Sequence, residues 1–210
     1  MPVVPVFDIG GVLIQWEPRA LFRGLIEDPG ELETFVTTIC PGDWDLEQDG
    51  RRSFAEGLAE RIALYPDHAD LIRAFDERWI ETVPGPIEGT LAILEELRAQ
   101  DIPTYAITNF SREKFAVLTE HFPPLQAFDG IVISAHEGLL KPDPRIYRLF
   151  CDRYGLAPAD CVFIDDTLAN VEGARAFGME GHHFTRPKAL RRDLRARGLP
   201  LKPEEWDALD

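Results

Sequence analysis

Four short stretches of this sequence carry side chains that could act together in a reaction. Each lies at the end of a short apolar run or shortly after one. The side chains are therefore predicted to gather at the carboxyl ends of β-strands, where open α/β sheets bind ligands. Together they offer three carboxylates, an amine, a hydroxyl and an amide. These residues are Asp8, Thr108 with Asn109, Lys141, and Asp165 with Asp166.

The three carboxylates restrict the chemistry. Close together they would repel one another and would require a cation, and oxygen ligands of this kind suit Mg²⁺, which also binds phosphate groups. Asp8 could then attack phosphorus as a nucleophile and form an aspartyl phosphate. Lys141 would offset negative charge and orient Asp8. Thr108 and Asn109 could donate hydrogen bonds to the phosphoryl oxygens.

Each of these residues also has a purely structural explanation. An aspartate after a strand often caps a turn or a helix, and Thr108 and Asn109 could cap a helix that starts near Ser111. Lys141 could be an exposed loop lysine, the commonest situation for a lysine. The combination of all four stretches, each associated with a strand end, is much more specific than any one of them.

The elements that must position these side chains are strands and helices in alternation. Five apolar runs rich in Val, Ile, Phe and Tyr lack clean polar–apolar alternation, which is typical of parallel strands covered on both faces. Amphipathic patterns separate most of them, so the sequence predicts an α/β, doubly wound, mostly parallel sheet. The runs are residues 3–7, 103–108, 130–134, 161–164 and 181–184.

A long helical segment separates the first predicted strand from the second. Its helical patterns cover residues 19–26, 31–39, a helix from Ser53 with a capping box to Glu56, and residues 67–82. A proline- and glycine-rich run at residues 83–86 then ends the helical pattern.

We interpret this segment, residues 16–84, as a small α-helical cap inserted after strand one. Residues 1–15 and 85–210 then form the catalytic core. The alternative is that these helices simply cover one face of the sheet.

Composition excludes several classes of protein. The 210 residues suit one domain carrying an insertion, and 45% hydrophobic with 28% charged residues are ordinary for a globular protein. With 22 basic and 37 acidic residues the net charge is −15, which argues against nucleic acid and anionic membranes as partners. A phosphorylated substrate would need local positive charge, which a divalent metal supplies.

The cysteines and the N-terminal residues bear on location. Cys40, Cys151 and Cys161 are odd in number and far apart, which is typical of reduced thiols. The apolar run at residues 3–7 is too short for a signal peptide or a membrane span. We therefore expect a cytoplasmic protein, as a monomer or a homodimer.

The four stretches that carry the candidate reactive side chains resemble motifs of the haloacid dehalogenase superfamily of hydrolases. The resemblance covers essentially the whole chain. Residues 6–13 (VFDIGGVL) are similar to its first motif and residues 107–109 (ITN) to its second. Residues 141–142 (KP) are similar to its third motif and residues 165–170 (DDTLAN) to its fourth.

The stretches at residues 138–147 and 163–174 are most similar to one subgroup. It contains the phosphatase domain of soluble epoxide hydrolase and bacterial glucose-1-phosphate phosphatases. The resemblance implies a Rossmann-like core with a small helical cap. It also implies a Mg²⁺-dependent phosphomonoester hydrolase that acts on a small phosphorylated metabolite, for example a sugar phosphate.

The resemblance also implies roles for individual residues. Asp8 would be the nucleophile and a Mg²⁺ ligand, together with the backbone carbonyl of Gly10. Asp166 would bind the metal directly, supported by Asp165 and Asn170. The phosphoryl group would be held by Thr108 and Asn109, and its charge neutralised by Lys141.

Gly10 departs from the pattern of the superfamily's phosphatases, which usually carry an acid/base aspartate there. Glycine cannot transfer a proton, and such help is typically worth about 10²–10⁴-fold in rate. Glu47 or Asp49 could substitute, the substrate could have a good leaving group, or the protein could bind without efficient turnover. Trp44, which the sequence places in a polar loop at residues 41–50, is a candidate for contact with the substrate.

Two other functions stay open. A 2-haloacid dehalogenase also attacks through an aspartate after strand one and needs no metal, although the adjacent Asp165 and Asp166 would disfavour a carboxylate substrate. A binding protein without catalysis is favoured only by Gly10. A phosphomutase is disfavoured, because its reaction depends on a proton shuttle at the position that Gly10 occupies.

Overall fold

Five parallel strands form a single sheet in the order β3-β2-β1-β4-β5. The structure is a computed structural model that describes residues 3–50 and 52–203, with the side chains of residues 43 and 45 left aside. All five predicted strands are present within a residue or two of their expected positions. They are β1 Val4–Phe7, β2 Tyr105–Thr108, β3 Gly130–Ile133, β4 Cys161–Asp165 and β5 Glu180–His183.

The sheet is covered on both faces, as the lack of alternation predicts. Neighbouring residues of one strand belong to different apolar clusters, because successive side chains point to opposite faces. Phe7 and Ile164 lie in one cluster, whereas Val6 and Phe163 lie in the other, and all four are fully buried. This arrangement is the α/β, doubly wound, Rossmann-like fold.

Six helices follow or connect the strands after residue 85. Their apolar faces supply the clusters on both sides of the sheet, and Tyr147 and Phe150 of α9 are fully buried. They are α6 Glu88–Arg98, α7 Arg112–His121, α8 Ser134–Glu137, α9 Pro144–Tyr154, α10 Leu168–Phe177 and α11 Pro187–Ala196.

Between β1 and α6, the described residues form five α-helices: α1 Pro18–Phe22, α2 Pro29–Thr34, α3 Gly42–Gln48, α4 Phe54–Leu64 and α5 Ala69–Glu77. Their mutual packing is aromatic. The ring of Phe22 lies 4.5 Å from that of Phe35 and 6.1 Å from that of Phe75, measured between centroids. The predicted capping box is present, since Ser53 and Glu56 bond each other's backbone N–H at the start of α4.

The helix boundaries in this segment differ from the predictions. α1 ends at Phe22, four residues early, and α2 passes into a π-helical turn at Phe35–Ile39. The predicted helix at residues 67–82 is divided into the 3₁₀ turn Pro66–His68, α5, and the 3₁₀ turn Trp79–Thr82. The predicted polar loop at residues 41–50 contains helix α3, and Trp44 on it is buried.

The two ends of this segment are joined to each other. Gln15 N–H donates to the carbonyl of Gly85 at 2.9 Å, and Glu17 N–H donates to that of Thr82 at 2.7 Å. One apolar cluster includes side chains from the segment and from the remainder, such as Phe75 and Ile93. The division into a cap at 16–84 and a core at 1–15 and 85–210 stays a prediction. Within the described ranges, no helix is both long and apolar enough to cross a membrane.

Candidate active site

Lys141 joins two carboxylates at the carboxyl edge of the sheet. Its Nζ lies 2.8 Å from Asp8 Oδ1 and 2.7 Å from Asp165 Oδ2. Asp8 follows β1 and Asp165 ends β4. These strands are neighbours in parallel register, so their ends meet as the sequence predicts. All three side chains are buried, with Asp165 fully excluded from solvent.

Burial is the largest influence on the pKa values of the ionisable groups at this edge, and the neighbouring charges modify it. Burial raises the pKa of Asp8 to about 7; the Lys141 charge opposes this rise and the Asp165 charge adds to it. Burial and the neighbouring Asp165 also raise the pKa of Asp166. Burial alone would lower the pKa of Lys141, but its attraction to Asp8 and Asp165 prevails and raises it. A further cation would stabilise the ionised carboxylates.

Asp165 is held from three directions. Its Oδ1 accepts hydrogen bonds from the backbone N–H of Thr167 at 2.8 Å and from Asn170 Nδ2 at 3.1 Å. Its Oδ2 accepts from Asn170 Nδ2 at 3.1 Å and from Lys141 Nζ. Asp165 therefore orients Lys141 and Asn170, which suits a supporting role.

One oxygen from each of Asp8, Asp165 and Asp166 lies within 4.8 Å of the others, a separation that one metal ion could bridge. Gly11 makes the approach of Asp166 feasible. A Cβ built on Gly11 would lie 2.1 Å from Asp166 Oδ2, and the φ of Gly11 is +70°. A Cβ on Gly10 would meet nothing within 4 Å. Gly11 is thus a positioning residue that sequence reasoning missed; the only signal for it was the glycine pair itself.

Thr108 ends β2 and Asn109 follows it, and the two side chains differ in their surroundings. Asn109 Nδ2 donates to the carbonyl of Lys141 at 3.1 Å, and its Oδ1 accepts from the Lys141 N–H at 2.8 Å. One Nδ2 hydrogen remains for another acceptor. Thr108 Oγ1 is buried and has no hydrogen-bond partner among the described residues. A buried hydroxyl in this state suits a ligand that supplies the missing acceptor.

A cavity of about 580 Å³ opens beside Asp8. Its polar side includes Asp8, Lys141 and Asp166, and its lining also includes Asp49. Five apolar side chains form the remaining wall. They are Trp16, Leu46, Phe54, Trp79 and Phe110.

Trp44 lies elsewhere. It is buried, with its ring 5.7 Å from that of Phe75, and it lines a separate cavity of about 310 Å³ together with Glu47 and Arg61. Trp44 belongs to helix α3, its ring packs against Phe54 and Phe75, and it is not among the described residues that line the Asp8 cavity. Its position therefore gives no support to the prediction that it contacts the substrate. Glu47 and Asp49 are the two candidates to replace the acid/base aspartate that is missing at position 10. Asp49 lines the Asp8 cavity and Glu47 lines the other one.

Comparison with known proteins identifies the family. Residues 5–178 match the family model of haloacid dehalogenase-like hydrolases. This chain belongs to that family.

Two relatives illustrate the range of proteins that share this hydrolase domain. A sesquiterpene phosphatase of Aspergillus oryzae is 30% identical over 90% of this chain and 93% of its own length. Acyl-CoA dehydrogenase family member 10 of Mus musculus is 35% identical over 93% of this chain, which spans only 19% of that protein.

Solved structures of haloacid dehalogenase-family enzymes share the fold. One example is an enzyme of Bacteroides thetaiotaomicron, solved in complex with magnesium and inorganic phosphate. It is 19% identical, covers 100% of this chain and 99% of its own, and superposes with a TM-score of 0.65. At this identity the likeness establishes the fold of the hydrolase family.

Proposed function

We propose that this chain hydrolyses phosphomonoesters of small organic molecules, with Mg²⁺, through an aspartyl phosphate on Asp8. One observation carries the proposal. Carboxylate oxygens of Asp8, Asp165 and Asp166 lie within 4.8 Å of one another beside an open cavity, and the buried Lys141 ammonium pairs with the first two. The similarity to a phosphatase over 93% of that relative's length supports the same reaction class.

The donor set fits a divalent metal. Carboxylate oxygens are the ligands that Mg²⁺ prefers, and the single ammonium of Lys141 leaves the three acids undercompensated. Asp8 and Asp166 would hold the ion with the backbone carbonyl of Gly10, and Asp165 would support them. When bound, the ion supplies positive charge that neutralises the phosphate.

The hydrogen bonds of Asp8 select its nucleophilic oxygen. Lys141 Nζ and the backbone N–H of Ile9, at 2.7 Å, both bond Oδ1. The other oxygen, Oδ2, attacks phosphorus, and the bond from phosphorus to the ester oxygen breaks. Thr108 and Asn109 hold the phosphoryl oxygens during transfer. Water then attacks phosphorus and gives a proton to the carboxylate that protonated the leaving oxygen in the first step. The bond from phosphorus to Asp8 breaks, and inorganic phosphate is released.

The leaving oxygen requires a proton, and we assign its delivery to Asp49. Ionisable side chains in the described lining of this cavity are those of Asp8, Asp49, Lys114, Lys141 and Asp166. Asp8 and Asp166 act at phosphorus and the metal, and Lys141 bridges two acids. Lys114 is paired with Asp76. Among the carboxylic acids in this lining, Asp49 is the one to which no other role in the reaction has been assigned.

The test is phosphate release from p-nitrophenyl phosphate with Mg²⁺, repeated in excess EDTA. We expect release with Mg²⁺, loss of release in EDTA, and background rates for Asp8→Asn. Asp101→Asn is the control; this residue follows α6 and has a φ of 55°, which asparagine tolerates. Mg²⁺-dependent release that persists in Asp8→Asn would contradict the aspartyl-phosphate route.

The same protein tests the alternatives. Halide release from 2-chloropropionate in EDTA would establish a dehalogenase, and binding of a phosphate analogue with no turnover would establish a binding protein. The sugar phosphate, the cytoplasmic location and the monomeric or homodimeric state stay predictions.

A further inference from the structure

Much of the lining of the Asp8 cavity is apolar. Trp79, Phe54 and Phe110 are almost wholly buried and form its floor, whereas Trp16 and Leu46 are each 39% exposed. A volume of about 580 Å³ lies within the range of cavities that enclose drug-sized ligands. The space beyond the phosphate position is therefore large and hydrophobic.

Some of the exposed large apolar side chains lie at this cavity, whereas Leu64, which is 63% exposed, lines the smaller cavity and Leu25 lines neither. Among the described residues, the large apolar side chains with substantial exposure include Trp16 and Leu46, which line the Asp8 cavity. Leu168, 46% exposed, lies between the lining residues Thr167 and Ala169. Exposed apolar groups grouped at a cavity indicate a site for an apolar ligand, because such a ligand removes them from water.

Two polar side chains of this lining, those of Lys114 and Ser111, are already engaged, and the remaining Nδ2 hydrogen of Asn109 is assigned to the phosphoryl group. Lys114 Nζ donates to the carbonyl of Asp76 at 2.8 Å, pairs with the Asp76 carboxylate, and lies 4.4 Å from the centre of the Phe54 ring. Ser111 Oγ accepts the backbone N–H of Lys114 at 3.2 Å and caps α7. Asn109 is bonded to Lys141. A sugar would bury several hydroxyls against this wall with few partners, at a cost in affinity.

We infer that the preferred substrate is the phosphate monoester of an apolar alcohol, whose hydrocarbon part occupies the wall formed by Trp16, Leu46, Phe54, Trp79 and Phe110. The inference rests on the proposed phosphatase function. An apolar alcohol, in place of a sugar, is then the alcohol part of the substrate. The phosphate lies at Asp8, and the hydrocarbon part points towards Trp16 and Leu46.

The first experiment is a series of n-alkyl phosphates with one reaction chemistry: ethyl, butyl, hexyl and octyl phosphate, compared with glucose 6-phosphate. We expect kcat/KM to rise by up to about fourfold per methylene while the chain enters the cavity, because each buried methylene adds a fixed transfer free energy. Glucose 6-phosphate is expected to fall below hexyl phosphate. A flat alkyl series, or a preference for the sugar phosphate, would overturn the inference.

Two variants test whether the hydrocarbon part of the substrate contacts Trp16 and Leu46. Leu46→Ser and Trp16→Ser change side chains that are already partly exposed, so folding is expected to be retained. Each should lower kcat/KM for hexyl phosphate at least about fivefold and leave ethyl phosphate within about twofold. Leu25→Ser is the matched control, because Leu25 is 37% exposed and is not among the residues lining either cavity. Equal losses for both esters in Leu46→Ser and Trp16→Ser would contradict the placement.

A binding measurement separates this inference from the proposed function. Calorimetric titration with hexylphosphonate and methylphosphonate, which are not hydrolysed, should give tighter binding and a more negative heat-capacity change for the hexyl compound. This difference should shrink in Leu46→Ser. No phosphate release from any ester would refute the proposed function alone, whereas equal affinity for both phosphonates would refute the apolar substrate even in an active phosphatase.

Discussion

Two adjacent glycines beside the nucleophile have opposite tolerance for a side chain. Gly11→Ala places a methyl group onto the Asp166 carboxylate at a φ of +70°, so Asp166 must move. Gly10→Ala meets open space. We expect Gly11→Ala to weaken Mg²⁺ binding about 10- to 100-fold, the range for groups that orient metal ligands, with Gly10→Ala unchanged. Calorimetric titration with Mg²⁺ measures this; equal affinities in the two variants would disprove the role of Gly11.

The buried hydroxyl of Thr108 provides a second test at the level of single residues. Thr108→Val keeps the shape and removes an oxygen that lacks a partner among the described residues, so the free energy of unfolding should stay the same or rise. Because that oxygen is assigned to the phosphoryl group, kcat should fall about 10²-fold. Steady-state kinetics and urea unfolding measure the two quantities.

Thr90→Val is the matched control for this change. Thr90 Oγ1, on α6, is likewise buried without a partner in the described part of the chain. Its removal should leave kcat unaltered. A similar loss of activity in both variants would mean that the effect of Thr108→Val comes from altered packing and not from a lost hydrogen bond to the phosphoryl group.

The proximity of two site residues was predictable from the sequence where the order of the strands alone brings them together. Asp8 and Asp165 end neighbouring parallel strands, so their meeting follows from the strand order. The clash between Gly11 and Asp166 was not predictable, because it depends on a distance set by two separate loops. Sequence patterns carry no information on such distances.

Among the elements, α3 positions Asp49, the assigned proton donor, which directly follows its last residue. Its predicted loop is helical because Trp44 and Gln48, four residues apart, are both buried, and Gln48 Nε2 donates to the carbonyl of Trp44 at 2.5 Å. Beyond its end, the carbonyl of Asp49 accepts a hydrogen bond from Ser134 Oγ at 2.5 Å. Ser134 begins α8 after β3, so the sheet itself fixes the backbone of Asp49.

Asp49→Asn tests the assigned proton transfer. For butyl phosphate, whose alkoxide leaves poorly, kcat should fall about 10²-fold, whereas p-nitrophenyl phosphate should change by less than about threefold. Glu47→Gln, which changes a residue of α3 that lines the other cavity, should leave the rates with both substrates unaffected. The comparison is made by initial rates at saturating Mg²⁺. A loss that is the same for both leaving groups would exclude Asp49 as the proton donor.

The strands were predictable and several helix ends were not. Strand residues are buried on both faces, so short apolar runs identify them directly. α2 passes into a π-helical turn where Phe35, Val36 and Ile39 are buried against other helices, a tertiary effect that local periodicity does not contain. The apolar cavity wall escaped prediction for the same reason, since it forms only where residues 16–79 fold against α7.

For the molecule as a whole, net charge opposes substrate capture. A net charge of −15 repels an anionic phosphate ester at long range, and salt screens this repulsion within about 10 Å at 0.1 M. We therefore expect kcat/KM to rise about twofold or more between 10 and 200 mM NaCl with Mg²⁺ saturating, and kcat to stay constant. Stopped assays across this range measure it. A kcat/KM that declines with salt would indicate that local positive charge dominates the approach.

The strand order also has a consequence for synthesis on the ribosome. β1 is the middle strand, yet its partners are made late: Val6 pairs with Tyr105 on one side and Phe163 on the other. A nascent chain therefore carries β1 unpaired while the whole segment between Phe7 and Tyr105 is translated. The helices from Pro18 to Glu77 can pack locally during that time, around Phe22, Phe35 and Phe75. Asp8 is thus translated well before the partners of its site, and its surroundings are completed only when Asp165 and Asp166 emerge.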